Sequence, residues 1–232
     1  MNSFGIKLNS NGFGGYYAFS SRINHRLRRF LEAEYNFVKD QKETKVVNSQ
    51  FQSINNRSFI YGKLISTHNL KVGYGYNRMI FEKRDKNSIS IHLLGSIGAS
   101  LAIGKPIYYE YFNISDTTLS YNKFDLDKSS NNDFIIGKAP IKYGLNELKF
   151  YPAAYAKFGI NFDFSKDVML SNALEVGVVL DGYFKEIEIM AGNKKRFILS
   201  MYVMYHFGKK YDATLNREFR KSQRKNERKL DK

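Results

Sequence analysis

The chain has no cysteine, only 3 prolines, and 22 acidic residues against 37 Lys and Arg in 232 positions. No cysteine means no disulfide, no thiolate metal site and no cysteine nucleophile, and it leaves the redox compartment open. No apolar run approaches the ~18 residues of a membrane-spanning helix, and the mean hydropathy is negative. A spanning helix is excluded. A membrane-spanning barrel is not, because its strands alternate two kinds of side chain and average to a weak hydropathy signal.

The surplus of basic residues gives a formal charge of +15, which raises nucleic acid or an anionic surface as a partner. Its distribution argues against the first. Ten Lys or Arg against four Asp or Glu fall in residues 209–232, so a short terminal segment carries much of the excess. No linker divides the rest, and the expected organisation is one domain over 1–210 followed by a basic tail over 211–232.

What is abundant is aromatic and small: 17 Tyr, 19 Phe and 17 Gly, which with so little proline points to many strands joined by tight turns. The clearest segment is 88–104. Its odd positions carry Ile89, Ile91, Leu93, Ile97, Leu101 and Ile103, while its even positions include Ser90, His92, Ser96 and Ser100. Period-two alternation held this long exceeds the ~5–6 residues of an ordinary soluble strand and suffices to cross a bilayer.

The pattern recurs. Phe150, Ala154, Phe158, Ile160 and Phe162 oppose Tyr155, Lys157 and Asp163, and Val168 to Phe184 oppose Glu175, Asp181 and Lys185. Leu31, Tyr35 and Phe37 oppose Glu32, Glu34 and Asn36; Leu70, Val72 and Tyr74 oppose Lys71 and Gly73; Phe197 to Phe207 form a last apolar face. Segment 58–66 is shorter and mixed, and counts as a strand. At the N-terminus the apolar parity switches around Asn9-Ser10-Asn11-Gly12, as either a bulge or a hairpin would cause.

The expected fold is therefore all-β, an antiparallel transmembrane β-barrel. Taking the parity switch as a bulge gives eight strands, with both strand termini periplasmic and the 113–148 connection outside. Residues 40–56 then form an unusually long periplasmic connection, which keeps ten strands open. The start Met1-Asn2-Ser3-Phe4-Gly5 shows neither a basic nor an apolar signal region, so export requires a signal segment outside this sequence.

Several strings carry a resemblance: KLNSNGFGGYY at 7–17, Lys42-Glu43 with Tyr61-Gly62-Lys63-Leu64, GSIGASLAIGKPIYY at 95–109 and YHFGKK at 205–210. Together they resemble small outer-membrane β-barrel proteins of the Bacteroidota. The resemblance implies compartment and fold over most of 1–210, and no activity.

On the face opposite the lipid, Glu32, Glu34, Lys71, His92, Lys157, Asp163, Glu175, Asp181 and Lys185 bring charges of both signs into a barrel narrow enough to be filled by side chains. Pairing within a plugged lumen is the structural expectation, and a proton or ion path the alternative. Of the four histidines, His25, His68, His92 and His206, none shows metal spacing, and only His92 is assigned to the lumen. With Ser90 or Ser96 and a carboxylate, His92 could in principle deacylate lipid, but no nucleophile elbow is present.

Gly12-Phe13-Gly14-Gly15 lacks the Lys-Ser/Thr and the helix of a phosphate cradle and reads as room for strand curvature. The doublets Tyr16-Tyr17 and Tyr108-Tyr109 read as interfacial girdles. No metal, cofactor, catalytic residue or small-molecule substrate is expected.

In the tail, Arg217, Arg220, Lys221, Arg224, Lys225, Arg228 and Lys229 offer a basic partner-binding segment with little apolar surface. The expected function is a non-enzymatic outer-membrane barrel, an accessory or scaffolding subunit of a larger cell-envelope complex in secretion, assembly or transport. Its partners would be outer-membrane lipid and other outer-membrane or periplasmic proteins. A membrane-embedded lipid-modifying enzyme is the alternative, and a soluble nucleic-acid-binding β-protein the weaker one.

Overall fold

A computed structural model describes residues 1–47, 58–83, 88–113, 118–124, 133–165 and 170–209. The wall is made by β1 (Asn2–Asn9), β2 (Gly12–Arg22), β3 (Leu27–Val38), β6 (Ile65–Phe81), β7 (Ser90–Pro106), β11 (Lys149–Asp163), β12 (Leu170–Met190) and β13 (Asn193–Lys209). Each pairs antiparallel with its neighbour in the chain, and β1 pairs with β13 to close the barrel. Five short strands remain: β4 (Lys45–Val46), β5 (Phe59–Ile60), β8 (Tyr108–Asn113), β9 (Thr118–Lys123) and β10 (Asp133–Lys138). They form a two-stranded and a three-stranded sheet outside the wall.

The count of eight holds, but the membership differs from the sequence expectation at two places. Asn9 pairs with Gly12, so the parity switch is a hairpin turn and not a bulge. Gly12 has φ 152°, and a Cβ there would sit 1.8 Å from the Phe37 carbonyl oxygen, so the close approach of β3 requires glycine. Segment 58–66 is not a wall strand: Phe59–Ile60 pairs with β4 beyond the barrel, and Ile65 opens β6.

These two corrections remove the topological difficulty around residues 40–56. With β1 and β2 separate, the 39–64 connection leaves the same end of the barrel as the 107–148 connection, opposite the end where β1 starts and β13 finishes. The short connections from β2 to β3, β6 to β7 and β11 to β12 all leave from the terminal end. Long connections are thus gathered at one end, called the far end below.

The alternation sorts the two faces as the period-two pattern demands. Ile97 is 70 % exposed on the outer wall, whereas Ser90, Ser96 and Ser100 on the same strand are buried inside. Phe4, Leu31, Val72, Phe158, Leu199 and Met201 are likewise exposed around the circumference, a continuous apolar surface far larger than soluble monomers show. Water is the wrong solvent for it. Exposed aromatics sit towards both ends, Phe19, Tyr76 and Phe207 near the terminal end and Phe13, Tyr35, Phe150 and Phe197 near the other. They frame the apolar band as girdles do.

The tyrosine doublets are not the girdle expected from sequence. Tyr16 points into the lumen and Tyr109 into the core of the outer sheet, each fully covered, and only Tyr17 of Tyr16-Tyr17 faces out. The last described residue is Lys209, so the basic tail over 211–232 and its seven named Arg and Lys lie outside the described residues.

Because Ile97 stands mid-wall on the lipid side, Ile97→Arg should cost about 2–4 kcal/mol on insertion. Loss of the heat-modifiable folded band in detergent is the expected outcome, with Ser96→Ala tolerated; an unaffected Ile97→Arg band would mean the face is not lipid-exposed.

Candidate functional site

Parity alone determines which side chains enter the lumen, and an eight-stranded barrel is too narrow to leave them hydrated individually. The mid-lumen is a charge network spanning the barrel. Lys7 Nζ on β1 donates to Glu34 Oε2 on β3 at 2.7 Å, and Lys157 on β11 reaches both Glu32 and Glu34, the latter at 2.9 Å. Ser96 and Tyr155 donate to the same Glu32 oxygen at 2.6 and 2.8 Å. Beside this cluster Lys71 on β6, the cross-strand neighbour of Glu34, meets Asp181 on β12 at 2.6 Å. Glu175 accepts from Tyr202 at 2.6 Å and lies 2.6 Å from His206 Nε2.

Two pairs of glycines make this possible. Gly73 on β6 and Gly98 on β7 are cross-strand partners, and a Cβ on Gly73 would meet the Tyr155 hydroxyl at 2.1 Å. Gly159 and Gly177 are partners on β11 and β12, and a Cβ on either would lie within 2.8 Å of the Tyr202 hydroxyl. Each pair opens a slot for one tyrosine, whose phenol then satisfies a carboxylate. The lysines are further held over rings, Lys7 at 4.4 Å from Tyr202 and Lys157 at 4.7 Å from Tyr16.

Of the nine lumen residues named from sequence, Glu32, Glu34, Lys71, His92, Lys157, Asp163, Glu175 and Asp181 are buried inside, and Lys185 is exposed. Lys185 departs because the β12–β13 register shifts between Gly182 and Ile187, which breaks the alternation that would have turned it inward. The nine do not form one cluster. His92 and Asp163 lie at the terminal end, where His92 is 3.2 Å from Ser90 Oγ and 3.0 Å from Asn77 Oδ1, and Lys83 reaches Asp163 at 3.4 Å.

The sequence pattern places Tyr155 on the inward face without marking it as a member of the network, and it marks no lumen role for Lys7, Tyr202 or His206. His92 is not the lone lumen histidine, since His206 also points inward and is buried. The signal was present: Tyr205 and Phe207 were assigned outward, so His206 between them must face in.

Above the charge layer the lumen turns apolar. Val38, Ile65, Ala102, Ala153, Tyr183, Ile187 and Ile189 pack into a plug at the far end. The chain just before β6 lies across it, with Leu64 N–H donating to Ile189 O at 2.9 Å and Ala191 N–H to Gly62 O at 2.8 Å. Asp40 accepts from Lys195 at 2.8 Å and Asn193 at 3.0 Å, tying the chain after β3 to the β12–β13 hairpin tip. These contacts hold Asp40 below the usual carboxylate range although its burial pushes the other way.

Over the plug sits a second small core of Phe59, Ile107, Tyr109, Tyr111 and Phe124. Beside it a cavity of about 560 Å³ opens, lined by Phe37, Lys39, Asp40, Glu43, Lys63 and Tyr109 among others. Two smaller voids lie towards the terminal end, of about 60 Å³ beside Tyr16 and Glu175 and about 170 Å³ beside Arg26 and His92. Among the described residues no group of His, Cys, Asp and Glu is arranged to hold a metal ion.

No protein family and no curated protein matches the sequence. Among solved structures the chain is similar to Neisserial surface protein A, at 10 % identity and a TM-score of 0.44, over 90 % of this chain and 94 % of that one. It is also similar to Ail, the attachment invasion locus protein of Yersinia pestis, crystallised with the heparin analogue sucrose octasulfate, at 7 % identity and a TM-score of 0.39, over 90 % and 95 % of the two chains. Both likenesses are distant, and the eight-stranded architecture rests on the strand pairing of this chain itself.

Lys157 is the cation shared by two buried carboxylates. Lys157→Met should therefore lower barrel stability by about 3–5 kcal/mol, since one partner of a buried pair is lost and the other stays charged. Adding Glu32→Gln should return part of that loss, measured as the denaturant midpoint of the folded band; additive losses in the double variant would show that the two groups do not interact.

Proposed function

We propose that this chain is a non-enzymatic outer-membrane β-barrel acting as an accessory or scaffolding subunit of a larger cell-envelope assembly. The observation that supports this most directly is the filled lumen, with ion pairs across the middle and an apolar plug at the far end. A barrel so filled offers its wall and its ends for work, not a passage.

The orientation follows from strand count. An even-stranded bacterial barrel keeps both strand termini in the periplasm, which puts the short turns inside and the capped far end at the cell surface. The wall then contacts outer-membrane lipid, and the basic segment with Arg217, Arg220, Lys221, Arg224, Lys225, Arg228 and Lys229 extends into the periplasm. Its charge suits an acidic periplasmic protein or lipid headgroups. Membership of the Bacteroidota group of small barrels belongs to the same proposal and rests on the sequence strings alone.

A lipid-modifying enzyme is the second reading, favoured by Ser90, His92 and Asn77, which stand in the order nucleophile, base and orienting group. Their placement counts against it. Ser90 and His92 are 6 % exposed and face the lumen, whereas acyl chains surround the outer wall. Ester hydrolysis by the intact protein that disappears in Ser90→Ala is what this reading requires.

The scaffold proposal is tested by purifying intact and 1–210 proteins side by side from native membranes in mild detergent. Both should give a folded, inserted barrel. The intact protein should bring reproducible envelope partners, and the truncated one fewer, with high salt mimicking the truncation. Recovery of the barrel alone from native membranes under every condition would contradict a subunit role.

A further inference from the structure

Four lysines, Lys39, Lys45, Lys63 and Lys138, line the far-end cavity against two carboxylates, Asp40 and Glu43. Both carboxylates are already engaged. Glu43 accepts from Lys63 at 2.7 Å and from the Asp40 N–H at 3.0 Å. Asp40 accepts from Lys195 at 2.8 Å, Asn193 at 3.0 Å and the Lys42 N–H at 3.0 Å. Lys39, Lys45 and Lys138 are left with no ion-pair partner among the described residues.

Those three arrive from separate elements: Lys39 follows β3, Lys45 lies in β4 and Lys138 ends β10. All three are exposed residues on the rim of one cavity. Lys39 Nζ and Lys63 Nζ lie 5.7 and 5.8 Å from the centre of the same Phe37 ring. Burial lowers the Lys63 pKa, and the charges of Lys138 and Lys39 push in the same direction against the Glu43 pair. Like charges converging on a partly covered space are mutually unfavourable until an anion enters.

The walls add a second kind of contact. The Tyr109 hydroxyl shares its one proton between the carbonyls of Ile60 and Lys63, 2.6 and 2.7 Å away, and burial pushes that phenol well above its ordinary pKa, so it stays a donor. Its ring, with Phe59 against it at 85° and Ile107 beside it, forms a rigid apolar side to the basic cluster. About 560 Å³ is within the range of small-molecule sites.

We propose that this cavity binds a small phosphate ester, its anionic head among Lys39, Lys45 and Lys138 and its organic body against Phe59, Ile107 and Tyr109. The site does not depend on the scaffold role, because binding is a property of the isolated barrel. Two sources offer the same chemistry: the phosphorylated headgroups of the surrounding outer leaflet, and a free soluble ester.

The test uses the full chain, purified in a non-ionic detergent and titrated calorimetrically with phenyl phosphate and with inorganic phosphate. Phenyl phosphate should bind saturably and more tightly than inorganic phosphate, since only it reaches both walls. Lys39→Gln and Lys138→Gln, both at exposed positions, should each weaken it by roughly tenfold or more, as for a lost charged hydrogen bond. Lys149→Gln removes the same charge at an exposed position outside the cavity and should change binding by no more than about twofold. Heat-modifiable folding of each variant separates lost binding from lost structure. Absence of saturable phenyl phosphate binding, or equal loss in Lys149→Gln, would overturn the proposal. If it binds, competition by a purified diphosphorylated lipid in mixed micelles supports the site with the leaflet as source, and lack of competition supports it with a soluble ester.

Discussion

Everything inside this barrel follows from a single constraint: the lumen is wide enough for side chains and too narrow for each charge to keep its own water. Lys7, Lys71 and Lys157 therefore find Glu34, Asp181, Glu32 and again Glu34 across the barrel, and Glu175 finds Tyr202 and His206. Glu34 is shared by Lys7 and Lys157, and Lys157 by Glu32 and Glu34, so the charges form one linked set. The same constraint explains glycines that would otherwise weaken strands, because Tyr155 and Tyr202 can reach their carboxylates only where Gly73 with Gly98, and Gly159 with Gly177, leave the wall bare. Outside, the demand is reversed: the apolar face needs lipid, and the aromatic ends mark where lipid gives way to water.

Much of this was legible in the sequence because period-two alternation is a local property. Once Ile97 faces lipid, Ser96 and Ser100 must face in, and Glu32, Glu34 and Lys157 were placed by the same rule. Partners were not legible. Nothing local says that Lys157 on β11 meets Glu32 on β3, 125 residues away, since that pairing depends on barrel closure and strand tilt. Lys185 was misplaced where alternation itself fails, at the register shift beyond Gly182. The N-terminal hairpin was missed because a parity switch does not distinguish one inserted residue from a two-residue turn, and only the approach of Phe37 to Gly12 decides it.

The far end was the least legible part. Its strands are two to six residues long and are held by contacts between distant segments, such as Asp40 with Lys195 and Leu64 with Ile189. No periodicity announces such a cap. Its cavity and its unmatched lysines emerge only once the two long connections meet over the plug, so a site there carries no signature in a single stretch of sequence.

The central claim is that charge pairing and the apolar plug seal this barrel, and single-channel recording in planar bilayers tests it most directly. Purified protein should insert without giving stable conductance steps, because the charges across the lumen are bound to one another and no continuous water column runs past Ile187 and Ile189. A reproducible, long-lived open conductance from the purified monomer would contradict the account and require a wider, hydrated lumen.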